Sequence, residues 1–221
     1  MSLTSKKSET AMLEQWQTAL TNAQAQPEIK TQIAKYGYDA EKLSEGQALY
    51  DQAIQIWQHN KQEDRETRDA YQVFSKHYEE LQDLYGEHRN KAKAKFRDQP
   101  VILAKLQVVS AKPTAYHNLI QQIEQFYATL NEAVNQDIKN QLLTYNMTAE
   151  ELTQAQQLIQ QTKSARAEYA REEGESQDAT KQKDTALGTL EDWMRDFYSM
   201  ASIALQSHPQ LLEAVGLFRR S

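Results

Sequence analysis

Cysteine is absent from the 221-residue chain. Disulfide scaffolds, Cys-ligated zinc and cysteine nucleophiles are thereby excluded. Glycine and proline are scarce, at 6 and 4 residues. Few positions therefore break a helix, and the abundant Gln, Ala, Glu, Lys and Leu favour one. β-Branched residues never alternate over the length of a strand. No apolar run approaches the roughly 20 residues of a membrane-spanning helix, and residues 1–10 lack the apolar centre of a signal peptide. A soluble chain is expected, with the cytoplasm the favoured compartment. Positive charge is in deficit, with a net charge of −6 and a pI near 5.5. That balance argues against a dedicated nucleic-acid binder. Hydrophobic residues make up 39% and the mean hydropathy is −0.81. Thin cores and well-exposed helices are expected.

Catalytic motifs are lacking as well. A di-iron centre in a helical bundle needs Glu-x-x-His pairs facing inward. The five histidines are His59, His77, His88, His117 and His208, and Ile56, Phe74, Tyr85, Thr114 and Leu205 stand three residues before them. None is Glu. There is no His-Glu-x-x-His, no phosphate-cradling glycine loop and no Gly-x-Ser-x-Gly. His59 and Glu63 share a helix face and read as a solvated pair. No cofactor or metal is expected.

What the chain does contain is an internal echo. Glu28-Ile29-Lys30-Thr31-Gln32-Ile33-Ala34-Lys35-Tyr36-Gly37-Tyr38 aligns with Asp137-Ile138-Lys139-Asn140-Gln141-Leu142-Leu143-Thr144-Tyr145-Asn146-Met147, at an offset of 109 (145 − 36). The same offset sets Leu43 on Leu152, Leu81 on Leu190, Ala92 on Ala201 and Pro100 on Pro209. A register held that long without a gap reads as a tandem duplication. The expected fold is all-α, a duplicated helical unit of roughly 100 residues. Its parts are a disordered or tag-derived N-terminus (1–9), repeat 1 (10–108), a linker and helix start (109–119), repeat 2 (120–217) and a tail (218–221).

Each repeat divides in the same way. A first helix from about Ser8 to Ala23 carries Leu13, Trp16 and Leu20 on one stripe, echoed by Ile123, Phe126 and Leu130 at an offset of 110 (126 − 16). One residue is thus gained or lost near Gln26. Pro27 suits the first turn of a short helix, which stops at Gly37, as its counterpart stops at Asn146, both residues that tolerate a left-handed backbone. Asp39 and Thr148 stand where an N-cap is needed, and Thr148-Ala149-Glu150-Glu151 is a capping box by type. The helix that follows reaches a charged run, Lys61 to Asp69, whose counterpart is Arg171 to Asp178. We expect that run to be the exposed tip of a helical hairpin, with the hairpins packed as bundles. The alternative is long continuous helices forming an elongated antiparallel bundle, and the absence of any insertion at the run speaks for it.

Two residue groups are candidates for contact. Arg89, Lys91, Lys93, Lys95 and Arg97 crowd a helix C-terminus, where cations favour the dipole; their sharper reading is an anion patch, for a membrane surface or nucleic acid. Trp57, Tyr71 and Phe74 correspond to Arg166, Thr180 and Lys183 in the second repeat. Apolar residues kept on one copy alone read as a partner surface or as core needing cover. His88, aligned with Phe197, reads as half-buried packing. The function class expected is a non-enzymatic helical scaffold or protein-interaction protein, with a protein partner or self-association. Two alternatives stay open: an enzyme with a site dispersed between the repeats, and an anionic-surface binder through Arg89 to Arg97.

Overall fold

The computed structural model describes residues Ser8 to Leu217. The tail 218–221 and most of the expected N-terminal segment lie outside the described residues; Ser8 and Glu9 already belong to the first helix. The order is α1 (Glu9–Ala25), α2 (Pro27–Ala34), α3 (Ala40–Lys95), α4 (Pro100–Lys105), α5 (Tyr116–Asn131), a 3-10 turn (Ala133–Asn135), α6 (Gln136–Leu143), α7 (Ala149–Ala204) and α8 (Pro209–Ala214). The fold is all-α, with no strand among the described residues.

Local chemistry sets the helix ends. The Ser8 hydroxyl accepts from the Ala11 N–H at 3.2 Å, and the Asp39 carboxylate from the Lys42 N–H at 3.0 Å. Thr148 and Glu151 bond reciprocally, each backbone N–H to the other's side chain, at 2.8 and 3.1 Å, so the capping box forms as expected. Gly37 and Asn146 are both left-handed, at φ 88 and 57°. Gln107 and Gly216, just past α4 and α8, are left-handed too. Between α1 and α2 stands one residue, Gln26, whereas Glu132 to Asn135 separate α5 from α6. Between the matched Leu20 and Ile29, and Leu130 and Ile138, the chain differs by the single residue expected; α5 ends sooner after its leucine, and the residues so released form the 3-10 turn.

The hairpin tip does not exist. α3 and α7 each run 56 residues without a break, straight through the charged run. Lys, Gln, Glu and Arg are good helix formers, and the single Gly174 costs only about 1 kcal/mol. Lys61, Gln62, Arg65, Glu66, Arg68 and Asp69 face solvent, and the less exposed positions Glu63, Asp64 and Thr67 continue a polar seam. Asn60, 2% exposed, donates to the Thr180 hydroxyl at 3.0 Å. The Ser176 hydroxyl reaches the Asp64 carboxylate at 3.2 Å, and Thr67 reaches the Glu172 carbonyl at 3.1 Å. α3 packs against α7 in antiparallel sense: partners climb one helix as they descend the other, from Gly46 and Trp193 through Asn60 and Thr180 to His88 and Glu151.

The described residues form two compact units that do not follow the boundaries 10–108 and 120–217. One takes the chain up to Arg65 and from Gly174 onward; the other is Glu66–Glu173. The first unit holds α1, α2, the start of α3, the end of α7 and α8. Its core joins Leu13, Trp16, Leu20, Ile29, Ile33 and Leu43 to Leu190, Phe197, Leu212 and Val215. The second holds the rest of α3, α4, α5, α6 and the start of α7. Its core joins Leu81, Tyr85 and Phe96 to Ile123, Phe126, Leu142, Leu152 and Leu158. The first core thus joins the two ends of the sequence, and the second is built from its middle.

Candidate functional site

Trp57, Tyr71 and Phe74 are divided between the two compact units. Trp57 lies in the first unit, partly buried against its core. Its indole N–H donates to Glu9 at 3.0 Å, and the other oxygen of Glu9 accepts from Lys183 at 2.7 Å. Lys183, with 13% of its side chain exposed, and Glu9 hold each other charged: the hydrogen bond between them lowers the carboxyl and raises the amine. Tyr71 and Phe74 lie in the second unit. There Phe74 stacks on Tyr169 and Tyr78, with Tyr116 edge-on at 5.6 Å. The Arg166 guanidinium sits 5.6 Å from the Phe74 ring and 5.1 Å from Tyr169. Such cation–ring contacts contribute more where water is excluded. Arg166 and Lys183, the counterparts of Trp57 and Phe74, are therefore taken up by contacts to other helices. Tyr71 stays 51% exposed, with Val73 beside it at the same value.

The basic end of α3 is largely engaged by its own unit. Arg89 donates to the carbonyls of Val108, at 3.2 Å, and Ser110. Lys91 donates to the Asn146 carbonyl and pairs with Glu87 at 2.7 Å. The Lys95 ammonium lies 4.9 Å from the Tyr145 ring centre. These three hold two turns, one after α4 and one after α6. Lys93 is half-buried, and Arg97 is exposed beside Asp98 at 3.4 Å. Replacing Arg89 by methionine should cost about 1–3 kcal/mol in urea unfolding, the usual range for a hydrogen bond to a charged group. Unchanged stability together with lost affinity for anionic vesicles would instead assign Arg89 to an anion patch.

One polar cluster escaped sequence reasoning. His88 is fully buried, not half-buried. Its Nδ1 lies 2.8 Å from the Tyr127 hydroxyl and its Nε2 3.4 Å from Glu151. Burial lowers the His88 pKa, while Glu151 opposes that shift. Burial also pushes the Tyr127 hydroxyl upward. Glu151 is held low first by the Thr148 N–H and then by His88. The capping-box carboxylate therefore serves two partners, and the capping motif was the one signal pointing to it. Of the other histidines, His59 lies 3.5 Å from Glu63, whose side chain is 9% exposed, so this pair is less solvated than its helix position suggested.

Two grooves lie within the units. One in the first unit, about 380 Å³, is lined by Leu49, Ile56 and Ala186 with Gln52, Lys181 and Thr185 among the polar residues. The other, about 340 Å³ in the second unit, is lined by Glu124, Tyr127, Ala128, Gln156, Ile159 and Gln160. The first lining holds no histidine; in the second, Tyr127 is the residue whose hydroxyl meets the buried His88. Among the described residues no helix is long and apolar enough to cross a membrane. Comparison with protein-family models, with curated proteins and with solved structures finds no match to this chain.

Proposed function

We propose that the protein is a non-enzymatic helical scaffold built by tandem duplication, which meets a protein partner through the exposed tyrosine face of its second unit. The observation that carries this reading is how the fold uses its reactive side chains. His88, Arg89, Lys91 and Trp57 each bond to a group of their own unit. Of the candidates, Tyr71, next to the Phe74–Tyr169 stack, and Arg97 stay outward, and Val73 close by in the chain is exposed too. A rigid aromatic side chain on a supported helix suits contact at low entropic cost. The duplication is supported by the matched bounds of α2 and α6, α3 and α7, and α4 and α8 at their N-termini, each 109 apart (149 − 40 for the long pair). His88, the buried histidine, is engaged on both nitrogens by its own unit, which speaks for a packing role.

The test is the variant Tyr71→Ala with Val73→Ser. Both side chains are half-exposed, so the thermal midpoint should move by no more than about 2 °C, as expected of surface changes. Proteins retained from an extract of the native cell, or self-association in sedimentation, should fall at least tenfold. Equal retention by the variant removes the tyrosine face from the reading. A large drop in the midpoint would assign the pair to packing.

A further inference from the structure

The halves of this chain meet through side chains that complement each other and do not complement themselves. Call the halves residues 8–112 and 113–217, divided in the exposed, non-helical stretch between α4 and α5. Each compact unit draws helices from both. In the first unit Gly46 faces Trp193 so closely that an added Cβ would lie 2.3 Å from the indole. The corresponding positions in the second unit are held by Ala155, a buried core residue, and Leu84, half-buried against the same core. Again in the first unit, Trp57 and Lys183 share Glu9. Their counterparts are Arg166 and Phe74, a cation on a ring. Asn60 bonds Thr180 in the first unit, and the counterparts Tyr169 and Tyr71 pack edge-on at 5.3 Å. At two of these places contacts in both units show a residue of one half changed together with the residue it meets on the other.

Like pairing would undo these matches. A second half paired with itself would set Trp193 against Ala155, in the space that only Gly46 leaves open, and Lys183 beside Arg166. A first half paired with itself would set Leu84 against Gly46, with a void between them, and would leave His88 without Glu151. We infer that the two halves are mutually specific partners, a heterotypic pair joined by a linker, each recognising the other in preference to a second copy of itself. The inference rests on the duplication reading for its choice of counterpart positions, but not on the tyrosine face.

The experiment begins with the full chain carrying a protease recognition sequence inserted between Ala111 and Lys112, cleaved after folding. The fragments should co-elute at the mass of the intact chain with unchanged helicity, and the thermal midpoint should become concentration-dependent, as for any associating pair. Fragments that separate while each keeps its helicity would overturn the inference, whatever Tyr71 does. The nicked protein is then unfolded, refolded and weighed by native mass spectrometry. Unlike pairs should exceed like pairs at least tenfold; a statistical mixture would overturn the specificity. Should the nicked protein fail to refold, the intact chain decides. Trp57→Arg with Lys183→Phe writes the Arg–Phe pair of the second unit into the first. The double variant should recover at least half of the midpoint lost by the two single variants together, and simple additivity would overturn the complementarity.

Discussion

Replacing Gly46 by alanine should destabilise the protein by about 1–3 kcal/mol, the usual cost of overpacking, although glycine to alanine inside a helix normally gains close to 1 kcal/mol. Two effects of opposite sign compete, and the structure decides between them by distance. A Cβ on Gly46 would stand 2.3, 2.5 and 2.7 Å from three atoms of the Trp193 six-membered ring. That ring is 8% exposed and stacked 5.6 Å from Phe197, with Tyr38 edge-on at 5.5 Å, so it has little freedom to retreat. Gly188 supplies the control, because a Cβ there meets nothing within 4 Å. Gly188→Ala should therefore raise the midpoint, while Gly46→Ala should lower it by roughly 3–10 °C for a chain of this size. Trp193→Leu added to Gly46→Ala should restore much of the loss, since it recreates the Ala and Leu that hold the corresponding positions in the other unit. A Gly46→Ala variant as stable as Gly188→Ala would mean that Trp193 yields freely and that the close approach sets no constraint.

The same comparison shows what was legible in the sequence. Helix starts and stops were legible because each depends on a few neighbouring residues. Asp39, the Thr148–Glu151 box, Gly37 and Asn146 behave as their chemistry dictates. The charged run from Lys61 to Asp69 was misleading because two environments demand the same composition. A solvated tip and a polar seam both exclude apolar residues, and only the partner helix tells them apart. Asn60 is 2% exposed and bonded across the seam to Thr180, which lies far away in sequence. Composition carries no record of that contact.

The surroundings of the candidate contact residues were hidden for a related reason. Trp57, Tyr71 and Phe74 were grouped because Arg166, Thr180 and Lys183 stand at their counterpart positions. The compact units divide α3, leaving Trp57 in the first and the other two in the second. The contrast with Arg166, Thr180 and Lys183 was legible, but its meaning was not. In an antiparallel pair the counterpart of Trp57 faces Phe74, and the counterpart of Phe74 meets the same carboxylate as Trp57. The difference between the copies is thus the match between the helices. The aromatic and cationic residues divide one role in each unit.

Lowering the pH from 7 towards 5 should destabilise the protein through His88, and His88→Phe should remove that slope. His88 is fully buried, with Tyr127 and Glu151 on its two nitrogens. The charged groups acting on it are Glu151 and Glu87, which favour its protonation, and Lys91, which opposes it. Burial outweighs the carboxylates, so the folded-state pKa lies below the unfolded value near 6.5. The unfolded chain then binds the proton first. Stability from this group is complete above the unfolded pKa and is lost as pH falls from there through the folded one. Glu151 adds a separate loss at lower pH, because its own pKa is held below that of a free carboxyl, first by the Thr148 N–H. Phenylalanine is the informative replacement, since Phe197 occupies the corresponding place in the first unit, at the centre of its core. Alanine at position 88 should instead cost on the order of 3 kcal/mol, from the cavity and from the Tyr127 hydroxyl left unpaired. Urea unfolding at a series of pH values reads both effects. A slope between pH 7 and 5 that survives in His88→Phe would assign the acid sensitivity to other groups and leave His88 a neutral packing residue throughout.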